Sequence, residues 1–183
     1  MSSAGLAKFE TPIGTCAIAW GPSGLLGVQL PGASELAALA RLQKRYPFAD
    51  EAVPPPAIAA IVARIAAFLG GASDDFADLP YDFSQVSDFE AGVYREALAI
   101  PAGATSTYGA IAAKLGDRGR SRAVGRALGH NPWPIVVPCH RVTGADGKMG
   151  GFSAPGGRAT KLRLLEIEGA LAPESLPLFG AAP

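Results

Sequence analysis

Residues 107–129 read TYGAIAAKLGDRGRSRAVGRALG, and how that stretch is broken decides the fold. Ala-rich residues 107–115 predict a short helix ended by Gly116, and Ser121 predicts the N-cap of a second helix running to Gly129. A short helix, a Gly-containing turn and another short helix form the pattern of a helix-turn-helix. In the second helix Arg122 and Arg126 are four residues apart and share a face. Ala123, Val124, Ala127 and Leu128 gather on the opposite face. Small residues at 123, 125, 127 and 129 keep the helix slim, so its backbone can approach a nucleic-acid groove closely. The plainer alternative is a surface helix with two solvated arginines.

Immediately downstream comes Asn131-Pro132-Trp133-Pro134-Ile135-Val136-Val137-Pro138-Cys139-His140-Arg141-Val142. Ile135 to Val137 predicts a short buried strand bracketed by prolines, with Cys139 at its rigid end. A free thiol has a pKa of about 8.5, so little of it is thiolate at neutral pH. The adjacent imidazole of His140 can take that proton, directly or through a water. A third group must then hold the imidazole in the right tautomer. Glu168, at the end of a helical stretch over 160–168, is the candidate. An inert buried cysteine beside a packed histidine is the alternative. Cys16 lies among Ala, Ile and Thr in a predicted strand and reads as core.

Working toward the N-terminus, residues 88–99 predict a helix capped by Asp88. An acidic, irregular stretch from Ser73 to Asp88 reads as a strand remnant and a linker. Residues 57–69 form an apolar helix stopped by Gly70-Gly71, behind a rigid Val53-Pro54-Pro55-Pro56 break. Residues 34–45 predict a helix with Ser34 as N-cap. Residues 13–20 and 25–30 predict two strands joined by Gly21-Pro22-Ser23-Gly24. The expected architecture is α+β: a small antiparallel sheet with helices over residues 1–86, a mostly helical unit over 87–172, and a tail over 173–183.

The 183 residues are 49% apolar, enough for a proper core. The absence of a long apolar run argues against a transmembrane helix and hence a membrane partner. MSSAGLAKFE has no apolar signal region. Two cysteines make no disulfide framework and point to a reducing, cytoplasmic setting. With only two histidines besides, no metal and no cofactor is expected. The net charge of zero hides an asymmetry. Residues 1–90 carry five cations against ten carboxylates, a net −5, whereas the remainder is +5. Residues 106–163 alone are +8, which points to a polyanion partner for the second half.

Asn131-Pro132 through Pro138-Cys139-His140-Arg141-Val142 resembles the active-site signature of the O6-alkylguanine-DNA alkyltransferases, also called methylated-DNA–protein-cysteine methyltransferases. The resemblance continues through Thr107-Tyr108-Gly109, Ser121-Arg122-Ala123-Val124-Gly125, Gly151-Phe152-Ser153 and Leu164-Leu165-Glu166-Ile167-Glu168-Gly169. It covers about residues 88–170, and Thr11-Pro12-Ile13-Gly14 fits the family's more variable N-terminal domain.

The resemblance implies a ribonuclease H-like N-terminal domain and direct-reversal repair of duplex DNA bearing O6-alkylguanine, with O4-alkylthymine a further candidate. Cys139 would take the alkyl group in one irreversible, suicidal transfer. His140 would be its water-linked base, Glu168 would orient His140, and Asn131 would brace the turn. Tyr108 would donate a proton to the leaving guanine. Arg122 would fill the gap left by the flipped base, with Ser121, Ala123, Gly125 and Arg126 at the DNA. Trp133, Pro134, Val142, Phe152 and Ser153 would line the pocket. Three departures stand out: Gly129-His130, Phe152 in place of a tyrosine, and Ile167 in place of a polar residue. The tail Glu174-Ser175-Leu176-Pro177-Leu178-Phe179 loosely resembles a sliding-clamp-binding peptide without its glutamine, the alternative being a tail packed on its own domain. The protein is expected to be a monomer. Competing functions are a non-catalytic alkyltransferase-like lesion sensor, a transcription regulator and a thiol hydrolase.

Overall fold

The computed structural model describes residues 3–147 and 153–170. β1 (Gly5–Thr11), β2 (Gly14–Gly21) and β3 (Gly24–Gln29) form an antiparallel meander, with Gly14 and Gly24 at positive φ where the chain reverses. β1 is a strand that the sequence pattern does not resolve. α1 (Ala37–Arg45) then carries the chain back across the sheet, so the short β4 (Asp50–Glu51) lies beside β1 and parallel to it. The sheet, in the order β3-β2-β1-β4, is therefore mixed rather than antiparallel as expected.

The side-chain period of two sends alternate residues of β2 to opposite faces. Ala17 and Ala19 meet Ala38, Leu39 and Leu42 of α1. Cys16, Ile18 and Trp20 join Ile58, Ile61, Ile65 and Phe68 of α2 (Pro56–Leu69). Cys16 is core, and burial pushes its pKa up to about 11.

The second half runs through α3 (Asp88–Leu98), β5 (Ser106–Thr107), α4 (Tyr108–Lys114), α5 (Ser121–Gly129), β6 (Val142–Thr143) and α6 (Gly157–Ile167). Three predicted caps are corrected. Ser34 offers only its carbonyl to Ala37, and α1 starts without a side-chain cap. Ser87, not Asp88, caps α3 in a reciprocal box with Glu90. Ser121 is the first residue of α5, and Asp117 instead caps the 3-10 turn Arg118–Arg120.

The predicted strand over 135–137 is also absent. Pro132, Pro134 and Pro138 lack the N–H groups a ladder needs, and Ile135 adopts φ 78°. The chain curls back, with Val137 N donating to Trp133 O and Cys139 N to Val137 O. Cys139 thus opens a 3-10 turn, Cys139–Arg141.

Two features position the loop around Cys139. β5 pairs with β6 in parallel, Ser106 opposite Val142, which sets the start of α4 beside the Cys139 turn. Trp133 is fully buried, its ring packed edge-on to Tyr81, Phe83 and Tyr94 and its Nε1 donating to Leu25 O at 2.8 Å. A single apolar cluster consequently runs from Ala7 to Leu164. Among the described residues no helix is long and apolar enough to cross a membrane.

Candidate active site

Asn131 holds the turn from inside. Its Nδ2 donates to Val137 O at 3.0 Å, and its Oδ1 accepts from Trp133 N at 2.9 Å. Both bonds are buried, so the side chain fixes the loop that presents Cys139 and holds Ile135 in the left-handed region. Such a conformation costs a β-branched residue about 1–3 kcal/mol.

Cys139 is 6% exposed, and burial pushes its thiol up, partly opposed by the Asn131 side chain and the charge of Lys161. His140 is fully buried. Its Nε2 lies 2.7 Å from Glu168 Oε1. The Arg141 guanidinium reaches the same carboxylate, Nη2 to Oε1 at 2.7 Å and Nε to Oε2 at 3.0 Å, while its Nη1 donates to Ile100 O. Burial favours a protonated Glu168, but the bonds from His140 and Arg141 outweigh it and hold its pKa below the ordinary range. Burial conversely pulls His140 down, so the imidazole is neutral at pH 7.

A neutral imidazole facing a carboxylate must carry its proton on Nε2. Nδ1 then holds a lone pair, and it has no hydrogen-bond partner among the described residues. A buried base with a free lone pair sits next in sequence to a buried thiol.

Tyr108 begins α4, with Thr107 as its N-cap. Burial raises the Tyr108 phenol, so it keeps its proton. Lys161 of α6 is buried and donates to Val142 O at 2.6 Å. Two cavities share Leu128, Gly129, Cys139 and Ser153. The smaller, about 10 Å³, adds Tyr108, Gly125 and Lys161. The larger, about 590 Å³, adds Asn131, Pro134 and Ala154 and reaches Arg41 and Arg45.

Not all the predicted site residues meet. Cys139, His140, Glu168 and Asn131 converge, and Tyr108, Pro134 and Ser153 border the cavities. Arg122 and Arg126 are exposed on α5, with Ser121, Ala123 and Gly125 half-buried beside them; among the described residues neither arginine has a carboxylate partner. Trp133 and Val142 require a correction: both are fully buried, Trp133 backing the loop from the core and Val142 supplying a carbonyl to Lys161. Phe152 and Glu174–Phe179 lie outside the described residues.

Sequence reasoning leaves Arg141, Lys161, Arg41 and Arg45 without roles. Arg141 is visible in the string around Cys139, but only its burial distinguishes it from a surface cation. Nothing in the local pattern marks Lys161. Among the described residues no cluster of His, Cys, Asp and Glu could hold a metal ion.

The sequence profile of the 6-O-methylguanine DNA methyltransferase DNA-binding domain matches residues 88–170. The methylated-DNA–protein-cysteine methyltransferase of Mycobacterium bovis is 44% identical over 125 residues, 68% of this chain and 73% of that protein. A DNA base-flipping protein of Thermus thermophilus is 42% identical over 107 residues, 58% of this chain and 70% of that one. The crystal structure of the Mycobacterium tuberculosis OGT in complex with DNA superposes with a TM-score of 0.70 at 34% identity, covering 93% of this chain and 96% of that chain.

Proposed function

The chain belongs to the methylated-DNA–protein-cysteine methyltransferase family, and from that premise we propose that it repairs O6-alkylguanine in duplex DNA by one irreversible transfer to Cys139. The observation that carries the reading is the buried row of Cys139, His140 and Glu168, in which His140 keeps a free lone pair at Nδ1.

The thiol proton passes to His140 Nδ1, through a water where the two do not touch. Sγ attacks the alkyl carbon in line, an S–C bond forms, and the O6–C bond breaks with its electron pair passing to guanine. Tyr108, which keeps its proton, donates it to the leaving base. The imidazolium formed on His140 is balanced by Glu168. A thioether is no leaving group for a second cycle, so each molecule acts once. Resting thiol and imidazole are both neutral, which suits a nucleophile that must stay quiet until a lesion arrives.

The exposed face of α5 supports a DNA-facing role, with α4 and α5 read as a helix-turn-helix and Arg122 as the residue that replaces the flipped base. Gly125 and Ala123 allow close approach from the minor groove, where little sequence information is carried, as a repair protein requires. Residues 1–86 are read as a ribonuclease H-like domain and 87–172 as the DNA-binding and transfer domain of a cytoplasmic monomer.

The test is the intact mass after incubation with a duplex carrying one O6-methylguanine. Transfer adds about 14 Da, one CH₂, to the Cys139 peptide and to no other. An unchanged mass with the lesion still present overturns the reading. The same measurement separates the second reading, lesion binding without transfer, which the name of the Thermus relative favours and the presence of Cys139 opposes.

A further inference from the structure

The two cavities that meet at Cys139 are very unequal. The one beside Tyr108 and Gly125 measures about 10 Å³, and the one reaching α1 about 590 Å³. A methyl group, comparable in size to a water molecule of about 30 Å³, needs little of that space. In an in-line displacement sulfur and O6 occupy opposite sides of the attacked carbon. A chain longer than methyl must therefore leave that carbon sideways, and the larger cavity, which Cys139 lines, gives it room.

The far wall of this cavity is cationic. Arg41 is half-buried, yet among the described residues it meets no carboxylate: Nε donates to Gln29 Oε1 at 3.1 Å and Nη2 to Leu30 O at 2.7 Å. Burial lowers its pKa with no counter-charge opposing the shift. These two bonds fix the guanidinium, and Gly32 leaves it room, since a Cβ there would come within 2.8 Å of Nη1. Arg45 is exposed one turn later and lines the same cavity, and neither Asp nor Glu does. A partly desolvated cation satisfied only by neutral acceptors gains most from an incoming anion.

We propose that Arg41 and Arg45 are specificity-determining residues, selecting O6-alkylguanines whose substituent is long and ends in a carboxylate. This rests on the transfer function proposed above and names its substrate class. The step balances as before: the S–C bond forms, the O6–C bond breaks, the thiol proton goes to His140, guanine takes the electron pair and a proton from Tyr108, and the whole carboxyalkyl group stays on Cys139.

The test uses the full chain and three duplexes, carrying O6-methylguanine, O6-carboxypropylguanine or its uncharged amide, O6-carbamoylpropylguanine, with single-turnover rates read by intact mass. The acid is expected to transfer about tenfold faster than the amide in the wild type. Arg41→Gln and Arg45→Gln each bring that ratio close to one and leave methyl transfer within about twofold. Arg41 also holds a backbone carbonyl, so Arg45→Gln carries the test if the first variant does not fold. An acid no faster than the amide in the wild type overturns the proposal, as does a preference that survives both substitutions. Equal losses on all three substrates also overturn it, because they assign the arginines to strand phosphates. Failure of the wild type on O6-methylguanine itself sinks the transfer function instead.

Discussion

Glu168 accepts from His140 and Arg141 while its side chain has no exposure, so one carboxylate holds the imidazole and neutralises a buried guanidinium. Removing one partner of such a buried group typically costs about 3–5 kcal/mol, so these residues stand or fall together. Their titration sets a pH dependence with a definite sign. His140 is depressed below its ordinary 6.5, so between that pH and its folded value the unfolded chain binds the extra proton and stability falls as pH falls. Glu168 is likewise depressed below 4.5, so its contribution is present above 4.5 and is lost as pH drops through its folded value. Urea unfolding is therefore expected to show decreasing stability from pH 7 to pH 4. A flat or rising profile contradicts the neutral imidazole, and with it the free lone pair on Nδ1.

At the scale of elements, α5 has a buried face of Val124, Ala127 and Leu128 and an outer face of Arg122 and Arg126, with Gly125 between the two. Glycine is not required there by packing: a Cβ at Gly125 would meet only the Tyr108 ring, at 3.9 Å. An interior helical glycine costs about 0.5–1 kcal/mol relative to alanine, so its presence calls for another reason, and the proposed close approach of DNA supplies one. Gly125→Ala is expected to melt no lower than the wild type while its transfer from duplex falls several-fold through the lost approach. A melting point several degrees lower assigns Gly125 to packing. Unchanged transfer removes α5 from the DNA contact.

For the molecule as a whole, Trp133 ties the halves together. It comes from the loop that carries Cys139, donates to β3 and packs against Tyr81, Phe83 and Tyr94. Val28 N donating to Pro132 O is a second tie. Trp133→Ala is expected to cost about 3–5 kcal/mol, and the wild type to unfold in one transition by calorimetry and by circular dichroism. Two separated transitions would show that the apolar cluster is not one cooperative core.

The sequence by itself determined which residues are proposed for the chemistry and most of the element boundaries. The string around Cys139 names the proposed nucleophile and its proposed base, the Gly21-Pro22-Ser23-Gly24 turn between two apolar runs gives β2 and β3, and the glycine stops give α2, α4 and α5. These are local signals, carried by residues close together in the chain. The turn at Ile135 was hidden because the apolar run looks like a strand until the ladder donors missing from its prolines are counted. Trp133 looked like pocket lining because an aromatic beside an active-site motif has no sequence mark of facing inward. Only the tertiary structure decided that Arg141 is buried against Glu168, that Lys161 lies beside Cys139, and that two arginines of an acidic first half border the cleft. Burial and counter-charge depend on contacts between residues distant in sequence, and no window of the chain contains both partners.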